Sequence, residues 1–265
     1  MTQSSFATRS LRQPVHPPVA DRLRPLEAAA RRSAAQVTFC VRGVISPLLC
    51  NLFLNYAFDR WMVTHYPEIP FERFADDILC HCGSESQAQA LKSSLERRFA
   101  ECELELHPTK TKIVYCKDDD RRGNYLDEKF DYLGYTFRAR RSKNRWGKFF
   151  INFSPGVSNT ATQAIREEIR NWQLRCRVDK WIDDLARMFN PIIRGWITYY
   201  GRYYKSALYP TLRYLNRCLA RWAMAKYKRL KRHRRRAEDW IRRASLRAPT
   251  LFAHWPLLRG VTAGR

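Results

Sequence analysis

Phe71-Glu72-Arg73-Phe74-Ala75-Asp76-Asp77-Ile78-Leu79-Cys80 is the stretch that decides the fold. Two short apolar runs flank an adjacent pair of acids. Phe74, Ile78 and Cys80 suit strands, and the small Ala75 with Asp76 suits a tight turn, so the stretch predicts a β-hairpin with two carboxylates at its tip. Like charges side by side repel, and a cation between them relieves the repulsion. Mg²⁺ takes a few carboxylates together with substrate phosphates and water. The pattern therefore has the electrostatic layout of a nucleotidyl-transfer site. Taken alone, an acidic pair at a turn is more often a plain solvated hairpin; the segments that follow overturn that reading.

The chain has 265 residues, enough for one large domain or two modest ones, and 45% of them are hydrophobic, enough for a core. No run of about 18 apolar residues occurs, so no transmembrane helix is expected. The N-terminus lacks the charged-then-apolar pattern of a secretory signal. Eight cysteines sit at irregular spacings. Cys80 and Cys82 bracket His81, but no second pair stands at zinc-finger spacing. The cysteines read as reduced, buried thiols of a cytoplasmic protein.

The formal charge is +24, and its distribution tells more than its size. Residues 1–137 hold 18 basic and 18 acidic side chains, whereas residues 138–265 hold 31 basic and 7 acidic ones, so the whole excess lies in the second part. This predicts chemistry in one half and polyanion binding in the other. Arg interleaved with Trp and Tyr favours nucleic acid as the partner over an anionic membrane surface.

Residues 1–36 are rich in Ser, Pro, Arg and Ala, and the leader over 1–42 reads as disordered or loosely attached, with a short helix over Leu26–Ala35. Gly43-Val44-Ile45-Ser46-Pro47 opens a helix, with Ser46 as N-cap and Pro47 at the first helical position. Asp59 on this helix reads as a partner of Arg60 or Arg73 rather than as a metal ligand. A helix over Glu85–Glu101 follows the hairpin, with Leu91, Leu95 and Phe99 buried. Leu104 and Leu106 read as a short strand, then comes a turn with Lys110 and Lys112, then the strand Ile113-Val114-Tyr115. Phe130–Phe137 and Phe149–Phe153 read as two further strands.

Beyond residue 155 the periodicity turns helical, over Ala161–Leu174 and Lys180–Phe189. Trp196, Tyr199, Tyr200, Tyr203 and Tyr204 fall on one helical face, which reads mainly as core with its edge free to meet RNA. Leu212, Leu215, Leu219 and Trp222 mark another helix. It runs into the cationic stretch Lys226–Arg236, which suits phosphate contact. The layout over 43–153 is α+β, with helices on an antiparallel sheet and an Asp-Asp hairpin. Residues 154–236 read as an all-α basic domain, and a tail over 237–265 either closes its helices or is disordered.

Gly43-Val44-Ile45-Ser46-Pro47-Leu48-Leu49, Phe74-Ala75-Asp76-Asp77, Leu106-His107-Pro108-Thr109-Lys110-Thr111-Lys112 and Phe130-Asp131-Tyr132-Leu133-Gly134-Tyr135 occur in the order found in group II intron reverse transcriptases. Asn190-Pro191-Ile192-Ile193-Arg194-Gly195-Trp196-Ile197-Thr198-Tyr199-Tyr200-Gly201 resembles the maturase-specific domain of the same proteins. The resemblance covers roughly residues 43–235 and implies a partial polymerase palm over 43–153 and a thumb/maturase-specific domain over 154–236. It implies an RNA-directed DNA polymerase, a nucleotidyltransferase, with Asp76 and Asp77 as catalytic metal ligands and Mg²⁺ (or Mn²⁺) as cofactor. It implies a charge-neutralising or proton-donating role for Lys110 and adds Phe74 and Ala75 as cofactor-binding residues. Phe74 stands where the family usually has Tyr. Arg194, Arg202, Lys205, Lys226, Lys228 and Arg229, with Lys231, Arg232, Arg234, Arg235 and Arg236, would meet RNA. The implied partners are intron RNA, a primer-template and deoxynucleoside triphosphates.

The sequence also departs from the family. The first palm motif of these enzymes carries a third metal-binding Asp upstream of the stretch that begins at Gly43. Among residues 1–42 only Asp21 offers that side chain, between Ala20 and Arg22 in a Pro-rich segment, and Cys40-Val41-Arg42 replaces the family's Pro-Gln-Gly. The expectation is an N-terminally truncated chain, deficient in polymerisation alone. A separate N-terminal fragment could complement it; the alternative is a non-catalytic RNA-binding remnant.

Overall fold

The computed structural model describes the backbone of residues 4–8 and residues 45–121 and 123–259. Asp21, the helix expected over Leu26–Ala35 and the Gly43-Val44 start lie outside the described residues. The chain divides into two compact units between Phe130 and Asp131.

The first unit contains strand β1 (Ser4–Thr8) and a helical stretch built from α1 (Ser46–Leu54), a π-helical turn at Asn55–Asp59 and α2 (Arg60–His65). β2 (Phe71–Phe74), β3 (Asp77–Cys82), α3 (Glu85–Glu101) and β4 (Lys112–Val114) follow. Its sheet has the order β2-β3-β1-β4. β1 pairs antiparallel with both β3 and β4. The segment Ser4–Thr8, expected to lie in a disordered leader, is thus an inner strand of the sheet.

Local chemistry accounts for these elements. Ser84 Oγ accepts from the Gln87 amide at 3.2 Å and caps α3. Ala88, Leu91, Leu95 and Phe99 recur at helical spacing and are buried. They form the core with Phe58, Met62 and alternate residues of β3, namely Ile78, Cys80 and Cys82. Strand alternation therefore turns Asp77, Leu79 and His81 to the opposite face. The π turn disturbs the helical ladder, and Arg98 Nε donates to the Ala57 carbonyl at 3.2 Å. Leu104 and Leu106 do not form the expected strand; only an isolated bridge occurs, at Glu105. Glu103, at φ 56°, bends the chain there.

The second unit begins at β5 (Lys129–Tyr132), which crosses the division, and continues with β6 (Tyr135–Lys143) and β7 (Phe149–Val157). Helices α4 (Asn159–Asn171), α5 (Ile182–Tyr200), α6 (Tyr209–Lys226), α7 (Arg234–Arg247) and α8 (Trp255–Arg259) complete it. The strands β5-β6-β7 form one sheet, and apart from the end of β7 at Val157 the elements within 154–236 are helical. The continuous strand expected over Phe130–Phe137 is two strands. Leu133 (φ 49°) and Gly134 (φ 77°) both take left-handed backbone and reverse the chain, as a two-residue hairpin turn requires.

α5 runs unbroken through Pro191, where the sequence suggested an end. The lost helical hydrogen bond is outweighed by burial of Leu185, Phe189 and Ile193 on its core face. The helix stops at Gly201, so Tyr203 and Tyr204 lie beyond the stripe that Trp196, Tyr199 and Tyr200 begin. Phe252, His254 and Trp255 are buried in the same core. The segment expected as a tail therefore closes the helices.

Candidate functional site

Asp76 and Asp77 sit at the tip of the β2–β3 hairpin. Phe74 pairs with Asp77, leaving Ala75 and Asp76 as the two-residue connection. Ala75 takes φ 54°, the left-handed backbone that the first residue of such a connection adopts. For a residue with a side chain this costs about 1 kcal/mol. Phe74, on the same face as Asp77, is 62% exposed. Its ring is presented to solvent and does not pack beneath the hairpin.

The turn is anchored from behind. Arg73 faces the helices and binds Asp59 through Nε at 2.7 Å and Nη2 at 2.6 Å. Its Nη1 donates to the Ala75 carbonyl at 3.0 Å and to Asn51 Oδ1 at 2.9 Å. The hydrogen bond with Asp59 raises the pKa of Arg73, although burial opposes it. Asp59 is therefore committed to Arg73, as its position suggested, and does not join the acidic pair.

Lys110 is exposed in the turn just before β4. The registers fix its place. Thr8 pairs with Ile78, and Ala7 pairs with Lys112, so the hairpin tip and the Lys110 turn share one end of the sheet. β3 and β4 are separated only by β1, a spacing of about 10 Å. Two carboxylates and one ammonium thus gather at a common edge. β1, between them, consists of Ser4-Ser5-Phe6-Ala7-Thr8 and brings no acid.

Two carboxylates match what Mg²⁺ commonly takes from a protein when phosphates and water fill the rest of its shell. Among the described residues no group of three or more His, Cys, Asp or Glu side chains could hold a metal alone. Cys80 and Cys82 are buried free thiols. Burial pushes the Cys82 thiol up to about 11 and Cys80 higher still, so neither is poised as a thiolate ligand.

The second unit carries the cationic surface. Lys228, Arg229, Lys231, Arg232, Arg235 and Arg236 are exposed around the joint between α6 and α7. The stretch is not one helix. It is a short 3-10 turn at Lys228–Leu230, a bend with Arg232 at φ 63°, and then the start of α7. Like charges at helical spacing repel, and no acid intervenes to relieve them. Arg234 is held by Glu238 at 2.9 Å. Lys226 is committed as well: its Nζ donates to the Val178 carbonyl at 2.7 Å and lies 4.4 Å from the Trp181 ring centre.

Arg202 and Lys205 border a groove of about 420 Å³ whose floor includes Ile197, Leu208, Leu212 and Leu257. Arg194 is exposed on α5. Sequence reasoning passed over the β6–β7 ribbon. Its run of cations from Arg138 to Lys148, with Trp146, Phe149, Phe150 and Phe153 beside and after it, was the available sign.

Residues 28–137 match the family described as reverse transcriptase (RNA-dependent DNA polymerase), which places the hairpin-bearing unit in the polymerase class. Residues 162–240 match the group II intron maturase-specific domain. With both domains in this order, the chain belongs to the intron-encoded reverse transcriptase/maturases. The first match begins at residue 28, upstream of Gly43, where the quoted motifs begin. No curated protein matches the chain. Among the described residues no helix is long and apolar enough to cross a membrane.

Proposed function

We propose that the chain binds intron RNA through its second unit and assists RNA folding for splicing, while its first unit retains a polymerase palm that is deficient in synthesis by itself. The observation that carries this reading is the exposed cluster Lys228, Arg229, Lys231, Arg232, Arg235 and Arg236. Among the described residues none of these six makes an ion pair with an acid, so their charge is available to phosphates.

In the palm, Asp76 and Asp77 would hold Mg²⁺ (or Mn²⁺). When bound, the ion supplies charge neutralisation at the phosphates of a primer end and a deoxynucleoside triphosphate. The Arg73 contacts keep the turn in place beneath the acids. Lys110 offers a second positive charge at the same edge of the sheet, suited to triphosphate oxygens. Phe74 presents an apolar ring beside Asp77 for a base or sugar. The deficiency follows from β1, which occupies the strand position next to β3 without a carboxylate. Groups that act as a catalytic set lose orders of magnitude in rate when one is missing.

Primer extension on an RNA template with Mg²⁺ or Mn²⁺ tests this, alongside salt-dependent RNA binding by the same preparation. The expected result is RNA binding without extension, in the chain and in Asp76→Ala/Asp77→Ala alike. Extension that vanishes in the double variant would overturn the deficiency. Loss of binding confined to substitution of the six cations supports the RNA-binding reading, and binding unchanged by that substitution removes it.

A further inference from the structure

The β6–β7 ribbon carries a surface that neither the palm nor the cationic joint explains. Residues 135–157 hold six cations (Arg138, Arg140, Arg141, Lys143, Arg145 and Lys148) and no acid. The register sorts them. Lys143 pairs with Phe149 and Arg141 with Ile151, so these four side chains share one face at the outer end of the ribbon. All four are exposed. Arg140 is on the other face and is committed internally. It donates to the Ser154 and Thr136 carbonyls, both at 3.2 Å, and lies over the Tyr204 ring at 5.0 Å.

The tip is built to present one ring. Asn144 Oδ1 accepts from the Trp146 amide at 3.0 Å and from the Lys148 amide at 2.9 Å. The Asn144 amide donates to the Lys148 carbonyl at 2.9 Å, and Gly147 takes φ 86° to close the loop. On this fixed turn Trp146 is 74% exposed. Arg145 lies 4.0 Å from its ring centre, and Arg141 lies 3.9 Å from that of Phe149, which is 52% exposed. Exposed rings gathered with cations at one end of a ribbon are the kind of surface that meets a partner. Here each ring has a guanidinium over it, the combination on which unpaired bases stack while cations meet the phosphates.

We infer that the outer end of the β6–β7 ribbon, Trp146 and Phe149 with Arg141, Lys143 and Arg145, is a stacking platform for unpaired nucleotides of RNA, separate from the cationic joint at Lys228–Arg236. It rests on the reading that the chain binds RNA and adds to it a preference for single strands. A duplex keeps its bases stacked on each other and offers this face only phosphates. The rigid tip presents Trp146 without an ordering cost on binding.

Fluorescence anisotropy with the full chain tests this, using labelled oligouridylate and a blunt RNA duplex of equal length at one salt concentration. Trp146→Ala/Phe149→Ala is expected to weaken oligouridylate binding about tenfold or more and leave duplex binding nearly unchanged. Trp146→Phe/Phe149→Tyr keeps both rings and is expected to keep the preference. Both residues are exposed, and an unchanged circular dichroism melt confirms that the fold is intact. Equal loss on both probes, or no loss on either, overturns the platform. So does a change in sedimentation of the free protein without a change in RNA affinity, which would make the ribbon a contact between protein chains. The joint is assayed in parallel with Lys228→Gln/Arg229→Gln/Lys231→Gln/Arg232→Gln, expected to weaken both probes together. If that variant binds normally while the aromatic variant loses oligouridylate, the joint fails as a site and the platform stands.

Discussion

Arg73 and Asp59 face each other edge to edge, with two hydrogen bonds of 2.7 and 2.6 Å and side chains only 11% and 22% exposed. The same guanidinium reaches the carbonyl of Ala75, so a helix acid fourteen residues upstream positions the turn that carries Asp76. Asp59→Ala removes two charge-assisted bonds and strands a part-buried guanidinium. The expected loss is about 2 kcal/mol of stability. Hydrogen exchange at the Ala75–Ile78 amides should accelerate more than at the amides of α3. Uniform acceleration would mean that the pair stabilises the unit without holding the tip.

Asn190 links α5 to the C-terminal segment. Its Nδ2 donates to the Leu251 carbonyl at 2.8 Å, and its Oδ1 accepts from the Ala253 amide at 2.9 Å. Asn190→Ala leaves both backbone groups without a partner in a closed site. Urea unfolding should show a loss of about 2–3 kcal/mol. Asn190→Asp puts a carboxylate oxygen against the Leu251 carbonyl in a buried site, so at neutral pH its loss should be at least as large as that of Ala.

His254 is fully buried, and burial pushes its pKa down from 6.5 to about 3. Nε2 shares a 2.8 Å hydrogen bond with Asn216 Oδ1, which also accepts from Trp255 Nε1 at 3.0 Å. The unfolded chain takes up a proton at this side chain below about pH 6.5, whereas the folded chain does not until about pH 3. The neutral imidazole thus favours folding at neutral pH, and that contribution declines as pH falls through this window. The urea midpoint should drop between about pH 7 and about pH 5. His254→Gln should flatten the decline, even if its midpoint at neutral pH is lower.

Gly134 takes φ 77°, and an added Cβ would stand 3.1 Å from the Tyr200 hydroxyl. The turn it forms is docked on α5: the Tyr199 hydroxyl donates to the Leu133 carbonyl at 2.9 Å, and the Tyr135 hydroxyl donates to the Tyr199 carbonyl. Gly134→Ala should cost about 1–2 kcal/mol from backbone strain alone. The thermal midpoint reports the loss, and a second-site Tyr200→Phe change that recovers part of it would locate the crowding.

What could be read from the sequence was whatever local chemistry determines. The span Glu85–Glu101 matches α3 end to end, because Ser84 supplies a cap and the apolar spacing is regular. The hairpin was legible for the same reason, since small and polar residues separate two apolar runs. β1 was not, because Ser4–Thr8 contains one large apolar residue and its partners on β3 lie seventy or more positions away. The continuity of α5 through Pro191 was hidden too, since the packing that sustains it comes from other helices. The Lys226–Arg236 stretch misled through composition: its charge marked a cationic surface, but its mutual repulsion broke the helix that the periodicity extended. At the site, the acidic pair and Lys110 were visible as residue types. Their shared edge depends on register, which no single segment encodes.

The place of β1 inside the sheet also bears on the order in which the first unit assembles. An inner strand from the start of the chain can be enclosed only after β3 and β4, through Val114, have been made. Closing that long loop before any pairing is gained slows folding, as non-local β contacts generally do. Until then the β3 edge is open to other chains. During synthesis, therefore, the hairpin and α3 can form early, while the sheet edge beside the acidic tip is completed last.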